Sequence, residues 1–111
     1  MIASVEVGAR FLDAADEVVQ INVRGMCSVW LQLSGTWAGT VSFEAKVDSD
    51  AAFVAFNMVP SNSATAASSA TANGAWSANC AGYDTVQARF STVTSGVVRA
   101  ALLASAAAGR Y

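Results

Sequence analysis

The chain has 111 residues, of which 54% are hydrophobic and only 13% charged, about half the charge of an ordinary chain. This length predicts one domain with a sizeable core, and the net charge of −2, with the bases Arg10, Arg24, Lys46, Arg89, Arg99 and Arg110 scattered, predicts no nucleic-acid partner. The absence of histidine removes Ser-His-Asp and Cys-His catalysis and His-ligated zinc.

In chain order, Met1–Phe11 lacks the basic-then-apolar plan of a signal peptide. Ser4–Val7 reads as a weak strand, and Gly8–Glu17 as either a short helix or a loop crossing. Val19, Ile21 and Val23 alternate with Gln20, Asn22 and Arg24, which predicts a strand ending at Gly25. The uncharged stretch Gly25–Phe43 is too often interrupted by Ser, Thr, Gln and Gly for a membrane-spanning helix, so no membrane partner is expected. Within it, Val29, Leu31 and Leu33 alternate with Ser28, Trp30 and Gln32. Val41, Phe43, Ala45 and Val47 alternate with Ser42, Glu44, Lys46 and Asp48. The glycine-punctuated Ser34–Gly39 between the two runs predicts a hairpin turn.

Ala51–Met58 and Ala75–Cys80 are weaker strand signals. Pro60–Asn73 has no charge and no large apolar side chain, and predicts a flexible loop. Val86, Ala88 and Phe90 form another buried face. Thr94-Ser95-Gly96 then reads as a second hairpin turn, and Val98, Ala100, Leu102 and Ala104 resume the buried face. The alanines of Arg99–Ala108 also admit a helix, but a strand is preferred because the preceding strand needs a partner. The expected fold is therefore all-β: an antiparallel β-sandwich or jelly roll of seven to eight short strands.

Candidate chemistry is sparse. Asp48-Ser49-Asp50 lacks the later ligands of a calcium loop and suits a turn. Asp13, Asp16 and Glu17 form no more than an acidic patch, and neither these nor Glu6 and Glu44 make a spaced catalytic pair. No enzyme activity, metal or cofactor is expected. Cys27 and Cys80 are too few for a disulfide scaffold and read best as buried thiols of a protein made in a reducing compartment, although neighbouring strands would let them pair. The aromatic residues Trp30, Trp37, Trp76 and Tyr83 are the candidate interface. Trp30 falls on the polar side of its strand, which favours a subunit contact, with stacking on sugars as the lesser reading.

The run Val29-Trp30-Leu31-Gln32-Leu33-Ser34-Gly35-Thr36-Trp37-Ala38-Gly39-Thr40-Val41-Ser42-Phe43-Glu44 resembles small β-sandwich virion structural proteins of tailed bacteriophages. So does the series Ala75-Trp76, Gly82-Tyr83, Val86-Gln87-Ala88-Arg89-Phe90 and Thr94-Ser95-Gly96. The resemblance spans roughly Ser28 to Ser105 and rests on turn glycines and strand residues. It implies a virion component: a capsid decoration (cement) protein, or a head-fibre, tail or baseplate piece. The lack of a stalk or heptad tract favours decoration. The implied partners are the major capsid protein and further copies of this chain, as a homotrimer. The implied location is the capsid surface, after synthesis in the host cytoplasm. Met1–Glu17, as an N-terminal arm, or the Pro60–Asn73 tract would grip the shell.

Overall fold

The computed structural model describes residues 5–106. Its elements are β1 (Val5–Leu12), β2 (Val18–Asn22), β3 (Ser28–Lys46), β4 (Val54–Ala55), β5 (Val59–Pro60), β6 (Ser69–Ala70), β7 (Gly74–Asn79) and β8 (Thr85–Ser105). Every pairing between them is antiparallel. The all-β expectation is met, but the strands are not uniformly short, because β3 has 19 residues and β8 has 21.

Both expected hairpin turns are absent. Ser34–Gly39 and Thr94–Gly96 lie inside β3 and β8, which pair with each other from Ser28↔Ser105 to Lys46↔Thr85. At about 3.3 Å per residue, straight strands of this length would span about 60–70 Å, whereas the longest dimension of the molecule is 43 Å. The ribbon must bend, and glycine supplies the bend. Gly39 and Gly96 have φ of 142° and 82°, and a Cβ would overlap the Thr92 carbonyl at Gly39 and the Thr36 carbonyl at Gly96. Glycine at positive φ marks a turn from sequence, but it also marks a bulged bend in a continuing strand.

The bend has a register consequence. Ala38↔Ser95 is followed by Gly39↔Val93, and Thr40↔Thr92 by Val41↔Phe90, so β8 carries an extra residue at Thr94 and again at Ser91. One extra residue would turn the rest of the strand inside out; two restore the original face. Val86, Ala88 and Phe90 before the bend in β8 and Val98, Ala100 and Leu102 after it are therefore all buried on the concave side, as are Val29, Leu31, Leu33, Val41, Phe43 and Ala45 of β3.

The folded ribbon makes two layers. The first contains β1, the C-terminal half of β8, the N-terminal half of β3, then β7 and β5. The second contains β2, the other halves of β8 and β3, and the short β4 and β6. The layers meet in the core, where Phe43 of one packs on Trp76 of the other with ring centroids 5.4 Å apart. β1 and β2 close one side. A Cβ on Gly8 would lie 2.7 Å from Ile21 Cγ2, so only glycine permits this approach.

Three further expectations change. Val5–Leu12, inside the expected arm and overlapping the helix alternative, is a strand paired at all eight positions with β8. It is followed by a turn in which the Asp13 and Ala14 N–H groups donate to Glu17 Oε1. Met1–Ser4 lies outside the described residues. Arg99–Ser105, by contrast, is strand as preferred over the helix alternative, whose end, 107–108, also lies outside. The Pro60–Asn73 tract is largely loop yet tied down: Ala67 bridges Met58, Ser69–Ala70 pairs with β3, and Ser61 N–H donates to Ala75 O at 2.9 Å. Of Ala51–Met58, only Val54–Ala55 forms a strand.

Candidate functional site: an apolar outer sheet face

The outer surface of the first layer departs most from a soluble pattern. In β1 the alternation runs backwards. Val5, Val7, Ala9 and Phe11 point outward, while Glu6, Gly8 and Arg10 stand opposite the buried Ala104, Leu102 and Ala100. The tight approach of β2 explains this: it leaves room at position 8 only for glycine, and Arg10 reaches past the edge to Val18 O at 2.8 Å and Glu17 at 3.3 Å. Val5, Val7, Ala9 and Phe11 therefore cannot serve the core, and Leu12 at the end of β1 is its one fully buried side chain.

Register carries this apolar surface across the whole layer. Val7 stands opposite Leu103, Leu103 opposite Trp30, Trp30 opposite Ser77, and Ser77 opposite Val59. The next row reads Ala9, Ala101, Gln32 and Ala75. Val7 is 68% exposed, Phe11 66% and Trp30 39%. Arg99, opposite both Phe11 and Ser34, is the single charge in these rows. Trp30 forms the ridge between two shallow grooves. One, of about 430 Å³, runs between Val7, Gln32, Ala75 and Leu103; the other, of about 610 Å³, reaches Cys27, Val59 and Asn79. Contiguous exposed apolar surface of this kind marks an interaction site.

The other sequence-selected aromatics sit elsewhere. Trp76 is in the core against Phe43. Trp37 packs edge-on against Phe90 at 5.7 Å and donates its indole N–H to Asn73 Oδ1 at 2.6 Å, while Asn73 Nδ2 donates to Gly35 O. Tyr83 packs on Phe56 at 5.1 Å. Only Trp30 of the four belongs to the apolar face. Val5, Val7, Phe11 and Leu103 were not singled out from sequence. The available signal was the β1 pattern itself, in which valines alternate with a glutamate and a glycine.

The outer surface of the second layer is the reverse. Arg89 donates to Glu44 at 2.9 Å and to Asp16 at 2.6 Å, Gln87 Nε2 donates to Glu44 at 2.7 Å, and the Ser42 and Ser91 hydroxyls share a hydrogen bond. The Arg89 guanidinium holds the Glu44 carboxyl below its usual value of 4.5. Nearby, Arg24 donates to the buried Asp84 at 2.6 Å and, with the Thr85 hydroxyl, lowers that carboxyl as well. Each of these carboxylates is held by a guanidinium, an arrangement suited to holding strands in register.

No protein-family profile and no curated protein matches this chain. Two solved structures share its fold. The SPBc2 prophage-derived protein YomS superposes with a TM-score of 0.79 at 18% identity, over 95% of this chain and 96% of that one. The PBSX exported protein XepA gives 0.76 at 19% identity, over 95% of this chain and 39% of that one. The chain thus spans nearly all of YomS and about two-fifths of XepA.

Proposed function

We propose that this chain is a bacteriophage structural protein that assembles through the outer face of its first layer, and that its role is capsid decoration. The observation that carries the reading is the five-strand apolar face, on a fold shared with two prophage proteins. Copies of the chain associate as a homotrimer by covering that face. The trimer then binds the major capsid protein on the shell exterior, where several weak contacts from one rigid body act as a single strong one. Because Val5–Leu12 is committed to the sheet, the 60–73 tract takes over the gripping role. A tail or baseplate position would use the same face and differs only in partner. Sugar binding has less support, since Trp76 is buried, the Trp37 indole is occupied and Tyr83 packs on Phe56, which leaves Trp30 as the one ring of the four candidates on the open face.

Light scattering after size-exclusion chromatography tests the assembly: a trimer is expected at micromolar concentration, and a monomer overturns it. Co-sedimentation with shells of the cognate phage, against tails of the same phage, tests the address. Binding to shells is expected, and binding to tails alone moves the protein to the tail.

A further inference from the structure

The start of β3 and the end of β7 bring the two cysteines together. Ser28 stands opposite Asn79, and the same register continued by one residue sets Cys27 opposite Cys80. The Cys80 N–H donates to Cys27 O at 3.0 Å. The Cys27 N–H turns to Ser105 O at 2.8 Å, so one hydrogen bond joins the pair; antiparallel partners of either kind lie about 4.5–5.5 Å apart at Cα, inside the window of about 4.4–6.8 Å that a disulfide can bridge. Direction agrees with distance. Val29 and Ala78, opposite each other, both face the core, and alternation puts Cys27 and Cys80 on that same side. Both residues lie just outside the regular ladder, where the backbone can adjust by tenths of an ångström. Both are free thiols.

We propose that Cys27 and Cys80 form a redox site which a low-molecular-weight disulfide of the glutathione class converts from dithiol to an intramolecular disulfide. The two positions are unequal in a way that orders the steps. Cys27 is half-buried and borders the groove beside Trp30, whereas Cys80 is fully buried. Burial, with the neighbouring Cys27, raises the Cys80 thiol above its ordinary value, so it is the slower nucleophile. Cys27 loses its proton to solvent and attacks one sulfur of oxidised glutathione, forming a mixed disulfide and releasing one glutathione thiolate. Cys80 then loses its proton and attacks the Cys27 sulfur, and the second glutathione leaves. The protein loses two hydrogens, and one glutathione disulfide becomes two glutathione thiols. The product staples β7 to β3 across the segment between them. A protein moving from a reducing cytosol to the outside would meet this change on the way. The chemistry holds whether or not the protein decorates a capsid.

The test is incubation of the full chain with oxidised glutathione, followed by intact mass under denaturing conditions and a thermal melt. The expected product is a monomer lighter by two hydrogens, with no glutathione attached and a midpoint raised by about 10 °C, both reversed by dithiothreitol. Cys80→Ala should stop at a single glutathione adduct on Cys27 with no rise in midpoint, and Cys27→Ala should remain unmodified. A wild-type chain that keeps both thiols, stops at the adduct, or runs as a covalent dimer on a non-reducing gel overturns the proposal. The wild-type measurement decides even where a variant does not fold.

Discussion

The two outer faces of the sandwich are built from the same two strands and have opposite chemistry. The N-terminal half of β3 and the C-terminal half of β8 present Trp30, Ala101 and Leu103, whereas the remaining halves present Ser42, Glu44, Gln87, Arg89 and Ser91. On the second face Gln87 is buried and Arg89 is two-thirds buried, because each is held by Glu44. On the first face the apolar rows lie open, with Val7 68% and Phe11 66% exposed. A polar face closes over itself by pairing its charges, while an apolar face can be satisfied only by another surface. One chain thereby carries a finished side and an unfinished side, and the low charge of the sequence is concentrated in the unfinished one.

Removing the bend that creates two faces should have the largest effect. Gly39→Val places a β-branched side chain at a positive φ and against the Thr92 carbonyl. A loss of about 3 kcal/mol or more is expected in urea unfolding, a large part of a typical domain's stability. An unchanged midpoint would mean that the ribbon bends elsewhere.

The next test separates the faces. Trp30→Glu combined with Leu103→Glu should weaken self-association about 100-fold or more by light scattering, since two charges enter the centre of the contact. The stability of the isolated subunit should fall by less, about 1–2 kcal/mol, because both side chains are partly exposed at 39% but the two new carboxylates stand opposite one another. Equal loss of fold and assembly would show that the face is part of the folding core.

Glu44→Gln is the mirror experiment. It removes the charge that Arg89 pairs with and should cost about 1 kcal/mol, discounted for partial exposure, with the oligomeric state unchanged. A change of assembly with little change of stability would exchange the roles of the two faces.

The smallest effect is the response to acid. Glu44 and Asp84 are held below their ordinary values of 4.5 and 3.8 by arginines, and Glu17 is held below 4.5, first by the Asp13 backbone N–H. A carboxyl whose folded value is depressed adds stability that is complete above its unfolded value and is lost as the pH falls through the folded one. Denaturant midpoints should therefore be flat from neutral pH to about 5 and decline below about 4, and Glu44→Gln should make that decline shallower. A midpoint that rises on acidification would contradict the pairing.

Much of the fold was legible because alternation depends only on which residues are apolar. Val41, Phe43 and Ala45, the pairs at 86–90 and 98–104, and Val19 with Ile21 all face inward as their period of two requires. The same signal placed Trp30 outward. Alternation says which residues share a face and leaves open whether a strand continues through a glycine. Gly35, Gly39 and Gly96 satisfy the sequence criteria for a turn equally well as bends, and only the unbroken pairing of β3 with β8 distinguishes the two. The face of β1 was likewise beyond the sequence. Ser4–Val7 reads as a weak strand with neither side assigned, and β2, pressing on Gly8, leaves the β1 valines outside.

What the amino-acid sequence determined by itself is therefore the class of structure, the inward set of residues and the shortage of charge. These are local properties, set by side-chain chemistry at spacing two. The tertiary structure decided that the strands fold over instead of ending, that two extra residues in β8 keep the concave side apolar, and which surface remains uncovered. It also brought Cys27 and Cys80 into register. Those outcomes depend on pairings between residues tens of positions apart, because backbone hydrogen bonds and packing are settled only when the partner strand arrives.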